Sequence, residues 1–179
     1  MKAAKKIFDL AGAALLLVGT SPVLLLAVLA VRASSPGPAI FSQTRVGRDG
    51  ALFRCHKLRT MYKGTPSLPS HEAPASAVTS VGRVLRKFKI DELPQFWNVL
   101  KGEMSLVGPR PCLPTQTELI ECRGRLGVLE ALPGITGLAQ VRGIDMSNPK
   151  LLAETDAAYL KAASFWLDLR ILFGTLYRS

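Results

Sequence analysis

The chain has 179 residues, with 23 Lys and Arg against 13 Asp and Glu for a formal charge of +10, yet 48% of it is hydrophobic and only 20% is charged. That mixture excludes a disordered polycation, and the length suits a single core. No nucleic acid is expected as partner: there is no zinc-type spacing, and aromatics are 7% without basic–aromatic interleaving.

The mean hydropathy of +0.23 is high enough for part of the apolar surface to face lipid. Charge is unevenly placed: residues 1–31 carry +2, residues 32–110 carry +8 and residues 111–179 are neutral. The basic excess therefore follows the apolar N-terminus, where it would meet anionic headgroups or an anionic substrate. Cys55, Cys112 and Cys122 are odd in number and have no CxxC spacing, so neither a disulfide framework nor a zinc site is indicated.

Leu10 to Val31 is an uncharged run of 22 residues, roughly 33 Å as helix and enough to cross a hydrocarbon core. Ser21-Pro22 sits at its middle, where proline removes a donor and crowds the preceding turn, so a bend is expected there. Lys2, Lys5 and Lys6 precede the run and Arg32, Arg45 and Arg48 follow it, and basic flanks prefer the cytoplasm. Both ends stay inside only if the helix dips in and returns, with the Ser21 hydroxyl meeting a freed carbonyl. From residues alone, a re-entrant and a spanning helix stand level. A cleaved signal peptide ranks third, because the run exceeds the usual apolar region and Arg32 sits inside the cleavage site.

Ser34-Ser35-Pro36-Gly37-Pro38 breaks the chain, after which Ala39–Gln43 and Leu52–Leu58 read as strands around the turn Gly47-Arg48-Asp49-Gly50. Residues 64–80, rich in Pro, Ser, Thr and Ala, read as a mobile loop able to cover a site. Val81, Val84, Leu85 and Phe88 recur at helical spacing between Arg83, Arg86, Lys87 and Lys89, which predicts a basic amphipathic helix at an interface, with an ordinary solvated face as the plainer reading. A helix from Asp91 to about Lys101, tolerating Pro94 in its first turn, comes next. The rigid turn Gly108-Pro109-Arg110-Pro111, a helix near Thr117–Leu132, the loop Pro133-Gly134-Ile135-Thr136-Gly137 and a helix capped by Ser147 or Asn148 follow. Phe165–Tyr177 closes the chain as an apolar stretch suited to core packing or to an interface.

The chemistry is placed at 91–111. Asp91 and Glu92 at a helix start feel the positive end of the dipole, which keeps them ionised and able to hold Mg²⁺ or attack an electrophile; simple capping is the plainer alternative. Lys57, Arg59, Lys87, Lys89, Lys101 and Arg110 surround them in sequence, and two anionic groups among many cations suit a polyanionic substrate that arrives with a divalent ion. Arg110 lies between two prolines and so presents its guanidinium at low ordering cost. His56 reads as strand packing and His71 as loop surface.

Ser21-Pro22, Lys57-Leu58-Arg59-Thr60-Met61, the block from Ile90 to Pro111 and Pro133-Gly134-Ile135-Thr136-Gly137 resemble the bacterial sugar transferases, the monotopic phosphoglycosyl transferases. The resemblance covers essentially the whole chain. It implies an enzyme at the bacterial inner (cytoplasmic) membrane that moves a sugar-1-phosphate from a UDP-sugar to undecaprenyl phosphate with release of UMP and with Mg²⁺ as cofactor. It further implies that Asp91 is the nucleophile, that Glu92 with Asp91 holds the metal, and that Arg110, with Lys57 and Arg59, meets substrate phosphate. The expected fold is α+β: a re-entrant membrane helix over 1–33, then a small mixed, mainly helical cytoplasmic domain over 34–179 with amphipathic interfacial helices. A homo-oligomer is compatible with this. Leu138 stands where an aromatic is common, and Gly143-Ile144 follows Arg142 where Asn-Gly-Arg is frequent; these departures, over 138 and 142–146, leave the core motifs intact and the sugar unassigned. The alternative is a non-catalytic membrane scaffold that binds polyprenyl phosphate, against which the intact Asp91-Glu92 pair speaks.

Overall fold

The structure, a computed structural model, describes residues 2–65 and 74–177. Helix α1 runs Lys2–Ser34 and is long and apolar enough to cross a membrane. Pro22 lies inside it. The missing proline N–H deprives Val18 of its donor four residues on, and Ser21 Oγ donates to the Val18 carbonyl at 2.7 Å instead; Thr20 Oγ1 does the same for Leu16 at 2.6 Å. The expected hydroxyl substitution is present, and α1 continues as helix through the proline.

α1 meets the rest of the molecule at both ends. Near its start, Ala13 is fully buried with Met104, Leu106 and Tyr159, and the Phe8 ring stands edge-on to Phe165 with centroids 5.3 Å apart. Polar pins fix the same stretch: Lys5 Nζ donates to Asp168 Oδ2 at 2.7 Å, Asp9 Oδ2 accepts from Ser105 Oγ at 2.7 Å, and Tyr159 OH donates to Asp168 Oδ1 at 2.7 Å. Near its end, Ala27 and Val31 pack with Ala39, Leu58 and Leu85 in a separate apolar cluster. Between these anchors Leu15, Val18, Leu25 and Leu26 are 60–75% exposed.

Strands β1 (Ile40–Val46) and β2 (Leu52–Leu58) form an antiparallel hairpin pairing Phe41 with Lys57 and Gln43 with Cys55. Asp49 at φ 56° and Gly50 at φ 76° turn it, a left-handed pair that Asp and Gly accept at low cost. As expected of a strand histidine, His56 packs in β2, with Nδ1 2.8 Å from Ser42 Oγ. Of the loop expected over 64–80, residues 66–73, His71 among them, lie outside the described residues. Helix α2 (Ser80–Lys87) is capped by Thr79, whose Oγ1 accepts from Gly82 N at 2.9 Å. Leu85 is buried, whereas Val84 and Phe88 are 54% and 60% exposed.

The helix expected to open at Asp91 is corrected. A single 3₁₀ turn covers Ile90–Glu92, and α3 begins only at Gln95 and ends at Leu100. Pro94 cannot donate to the Ile90 carbonyl, which takes Leu93 N at 3.2 Å, and Glu92, Phe96 and Trp97 likewise bond three residues back. Asp91 therefore lies ahead of the α-helix, and its properties come from burial and neighbours.

Strand β3 (Ser105–Val107) pairs in parallel with β4 (Gly134–Thr136), which stands where a loop was expected. Gly134 is required there: a Cβ would collide with the Gly108 backbone, and the close approach lets Gly134 N donate to Pro109 O at 2.9 Å. The helix expected over 117–132 ends early, as α4 (Thr117–Arg125), because Gly127 at φ 70° reverses the chain before a 3₁₀ turn at Val128–Glu130. Helix α5 spans Leu138–Arg142, α6 spans Pro149–Ala162 with Asn148 Oδ1 accepting from Leu151 N at 3.2 Å, and α7 spans Phe165–Tyr177. In α7 Asp168 and Ile171 are buried, and Trp166, Phe173, Leu176 and Tyr177 are exposed. The architecture is thus mixed and mainly helical.

Candidate active site

Glu92 is the meeting point of three chain segments. Lys57 Nζ, next to the end of β2, donates to Glu92 Oε1 at 2.7 Å, and Arg110 Nη2, in the turn after β3, donates to the same oxygen at 2.9 Å. Local structure makes the meeting possible. Asn98 on α3 is fully buried; its Oδ1 accepts from His56 N at 3.0 Å, and its Nδ2 donates to Arg54 O at 2.7 Å and to Glu103 Oε2 at 2.6 Å. That clasp ties β2 to α3 and so faces Lys57 toward the turn carrying Glu92. Lys89, at φ 55°, bends the chain out of α2 into that turn, and its Nζ donates to Thr175 O near the end of α7 at 2.9 Å.

The two carboxylates have opposite surroundings. Lys57 and Arg110 hold the Glu92 carboxyl well below the usual range despite its burial. Glu92 in turn raises the Arg110 pKa. Asp91 is 8% exposed, and no hydrogen bond or ion pair reaches its carboxylate among the described residues. Burial pushes its pKa up, Lys57 opposes that and the Glu92 charge adds to it.

Both carboxylates line a cavity of about 970 Å³, together with Lys57, Arg86, Lys89 and Arg110. Apolar walls from Phe41, Phe96, Ile135 and Ile144 complete it, as does Gly143 from the segment that departs from the family pattern. Arg86 is steered by Nε donating to Thr60 Oγ1 at 2.9 Å. Arg59, expected beside Lys57, borders the same cavity, but its bonds go to the end of α1: Nη1 donates to Pro36 O at 2.8 Å and Nη2 to Ser35 O at 2.7 Å. Ser21 and Pro22 lie in the exposed middle of α1, away from this cluster.

Among the described residues no group of three or more His, Cys, Asp or Glu is placed to hold a metal. The arrangement still fits Mg²⁺, which commonly takes one or two carboxylates and completes its shell with substrate phosphate and water. Glu92 uses only Oε1 on its cations, so Oε2 and the Asp91 carboxylate remain as hard oxygen donors facing the cavity.

Sequence reasoning singled out Asp91, Glu92, Lys57 and Arg110 from compact motifs, four side chains that the structure brings to one cavity. It missed Asn98, Arg45 and Arg123, each of which has at least one partner distant in sequence. Arg45 is buried, with Nη1 donating to Pro111 O at 3.1 Å and Nη2 to Gln43 Oε1 at 2.5 Å; burial and the neighbouring Arg110 both lower its pKa.

A family model described as bacterial sugar transferase matches residues 1–179. The chain belongs to that family. Among its relatives, the UDP-glucose:undecaprenyl-phosphate glucose-1-phosphate transferase of Caulobacter vibrioides is 43% identical over 96% of this chain and 68% of its own length. The UDP-N-acetylgalactosamine-undecaprenyl-phosphate N-acetylgalactosaminephosphotransferase of Aeromonas hydrophila is 37% identical over 96% of this chain and 42% of its own length. An uncharacterized sugar transferase of Bacillus subtilis, EpsL, is 41% identical over 96% of this chain and 85% of its own length. This bacterial sugar transferase chain thus spans well under half of some relatives, including 35% of one from Komagataeibacter xylinus.

Because the folded pKa of Glu92 lies below its ordinary value of 4.5, the stability it contributes is fully present above about pH 4.5 and is lost as pH falls through the folded value. Glu92→Gln should cost on the order of 2 kcal/mol at neutral pH, allowing for the one-third exposure of Arg110, and should decline less on acidification. Denaturant melts from pH 7 to pH 3 check this; parallel acid declines in both proteins would contradict it.

Proposed function

We propose that this chain transfers a sugar-1-phosphate from a UDP-sugar to undecaprenyl phosphate through a covalent phosphosugar on Asp91, releasing UMP. The observation that carries the reading is a buried Asp91 carboxylate facing a cation-lined cavity while Glu92 takes the paired cations. The relatives named for transfer to undecaprenyl phosphate support the substrate class. An Asp91 oxygen attacks the sugar-bearing phosphorus, the bridging P–O bond breaks and UMP leaves. An oxygen of the lipid phosphate then attacks the same phosphorus, frees the carboxylate and forms the lipid diphosphate sugar. Both steps exchange one activated phosphoryl bond for another, so little energy is lost between a soluble donor and a lipid acceptor. Low exposure strips water from Asp91, and Arg110, Lys57 and Arg86 line the cavity where phosphate charge would gather. Asp91 and Glu92 would hold Mg²⁺ with the donor's phosphates, where the ion supplies neutralisation of diphosphate charge. The donor is proposed only as a UDP-sugar, since relatives at 37–43% identity are named for glucose, galactose and N-acetylgalactosamine.

The proposal includes a re-entrant α1 at the cytoplasmic face of the bacterial inner membrane, with α2 and α7 lying along the interface. Support comes from α1 docking at both ends on one domain while its middle leucines stay exposed. A helix whose middle lies in lipid and whose two ends touch the same polar body must leave on the side it entered. The exposed apolar side chains of α2 and α7 suit the same membrane surface.

With polyprenyl phosphate and Mg²⁺, a panel of UDP-sugars should include one from which UMP is released, and Asp91→Asn should lower that release at least a thousandfold (about 4 kcal/mol) while leaving membrane association intact. Substantial turnover by Asp91→Asn would move the nucleophile elsewhere. For topology, Lys6→Cys and Arg48→Cys in a Cys-free background should both resist an impermeant thiol reagent in intact cells and react after lysis. Labelling of residue 6 from outside with residue 48 protected would make α1 a single-pass span.

A further inference from the structure

Arg110 is constrained from behind as well as in front. Three successive carbonyls of its turn each accept a bond: Pro109 O from Gly134 N at 2.9 Å, Arg110 O from Arg123 Nη1 at 2.9 Å, and Pro111 O from Arg45 Nη1 at 3.1 Å. Arg123, on α4, is 3% exposed and lies outside the cavity lining. Its Nε and Nη2 both reach Asp156 Oδ2 on α6, at 3.0 and 2.6 Å, and Asp156 is also 3% exposed. The α4–α6 contact already has an apolar core in Leu119, Leu152 and Ala153, and a buried ion pair often adds little net stability over apolar packing. Its geometry accounts for it better. Prolines 109 and 111 fix their own φ, and Pro111 keeps Arg110 out of the α region, but neither sets the direction of the Arg110 carbonyl. A guanidinium is a rigid fork, so anchoring Nε and Nη2 on Asp156 aims Nη1 at that carbonyl.

We propose that the Arg123–Asp156 pair is a positioning device for Arg110, holding the backbone from which its guanidinium reaches Glu92 and meets the diphosphate of the sugar nucleotide. The claim rests on the reading above in naming the diphosphate. Lysine at position 123 keeps the charge but lacks the rigid fork that fixes Asp156 and the carbonyl in one geometry.

UDP binding in the presence of Mg²⁺, followed by calorimetry on the full chain in lipid nanodiscs, tests it. Arg123→Lys should weaken UDP binding about tenfold when Arg110 is present and less than twofold when Arg110 is already Ala, because the effect passes through Arg110. A purely structural role weakens binding by the same factor in both backgrounds, and that result overturns the proposal. Asp156→Asn, similar in shape and retaining an acceptor, should show the same dependence on Arg110; it decides the matter if Arg123→Lys melts below the assay temperature. If the unsubstituted protein binds no UDP, the nucleotide-sugar reading falls and takes this proposal with it. Binding by the unsubstituted protein with no coupling to Arg110 removes the positioning role alone.

Discussion

A single carboxylate oxygen, Glu92 Oε1, receives both Lys57 and Arg110, and the arrangement of the site follows from that sharing. Three segments far apart in sequence, β2, the 3₁₀ turn and the turn after β3, are joined at one atom. Two cations on one anion leave a net positive charge at the cavity wall, a favourable place for phosphate. The sharing also occupies the nearest cations, so Asp91, one residue away, keeps a buried carboxylate without a protein partner among the described residues. Adjacent residues of the same chemistry thus differ through their neighbours: Glu92 is the counter-ion of two cations, whereas Asp91 is buried beside it and is the group proposed to react.

The apolar helix α1 is held by the same logic of few, well-placed polar contacts. Asp9 and Lys5 are the polar pins of its first turns, and each finds a partner in the folded domain. At the far end Arg59 donates to the Ser35 and Pro36 carbonyls just past α1, so the motif that carries Lys57 also supplies the clasp beyond the helix. Lys89 links the turn before Asp91 to the end of α7, whose outer face is apolar. The turn carrying Asp91 thus lies between α2 and α7, both of which expose apolar side chains.

Much of this was legible in the sequence because it is local. The uncharged run of α1, the Ser21 hydroxyl beside Pro22, the hairpin around Asp49-Gly50, the Asn148 cap and the span of α7 each rest on residues within a few positions of one another. The pair β3 and β4 was missed: each strand has three residues, too few for an alternating pattern, and their pairing joins Ser105 to Gly134. The start of α3 was misplaced because Pro94 is tolerated in a first turn in general, whereas here its missing donor tightens the preceding turn into 3₁₀ form. Arg59, two residues from Lys57, would share its face in a continuing strand, but β2 ends at Leu58 and Arg59 lies beyond it, with its guanidinium on the Ser35 and Pro36 carbonyls. Arg123 and Asp156 carry no local signal, since 33 residues separate them.

The proposal that Asp91 reacts covalently is tested most directly by the intact mass of the purified protein after mixing with a UDP-sugar and Mg²⁺ in the absence of lipid acceptor. The account predicts a mass increase of one sugar phosphate, mapped to the peptide carrying Asp91, absent in Asp91→Asn and discharged when polyprenyl phosphate is added. UMP release that occurs only with acceptor present, and with no mass increase at any time, would contradict it.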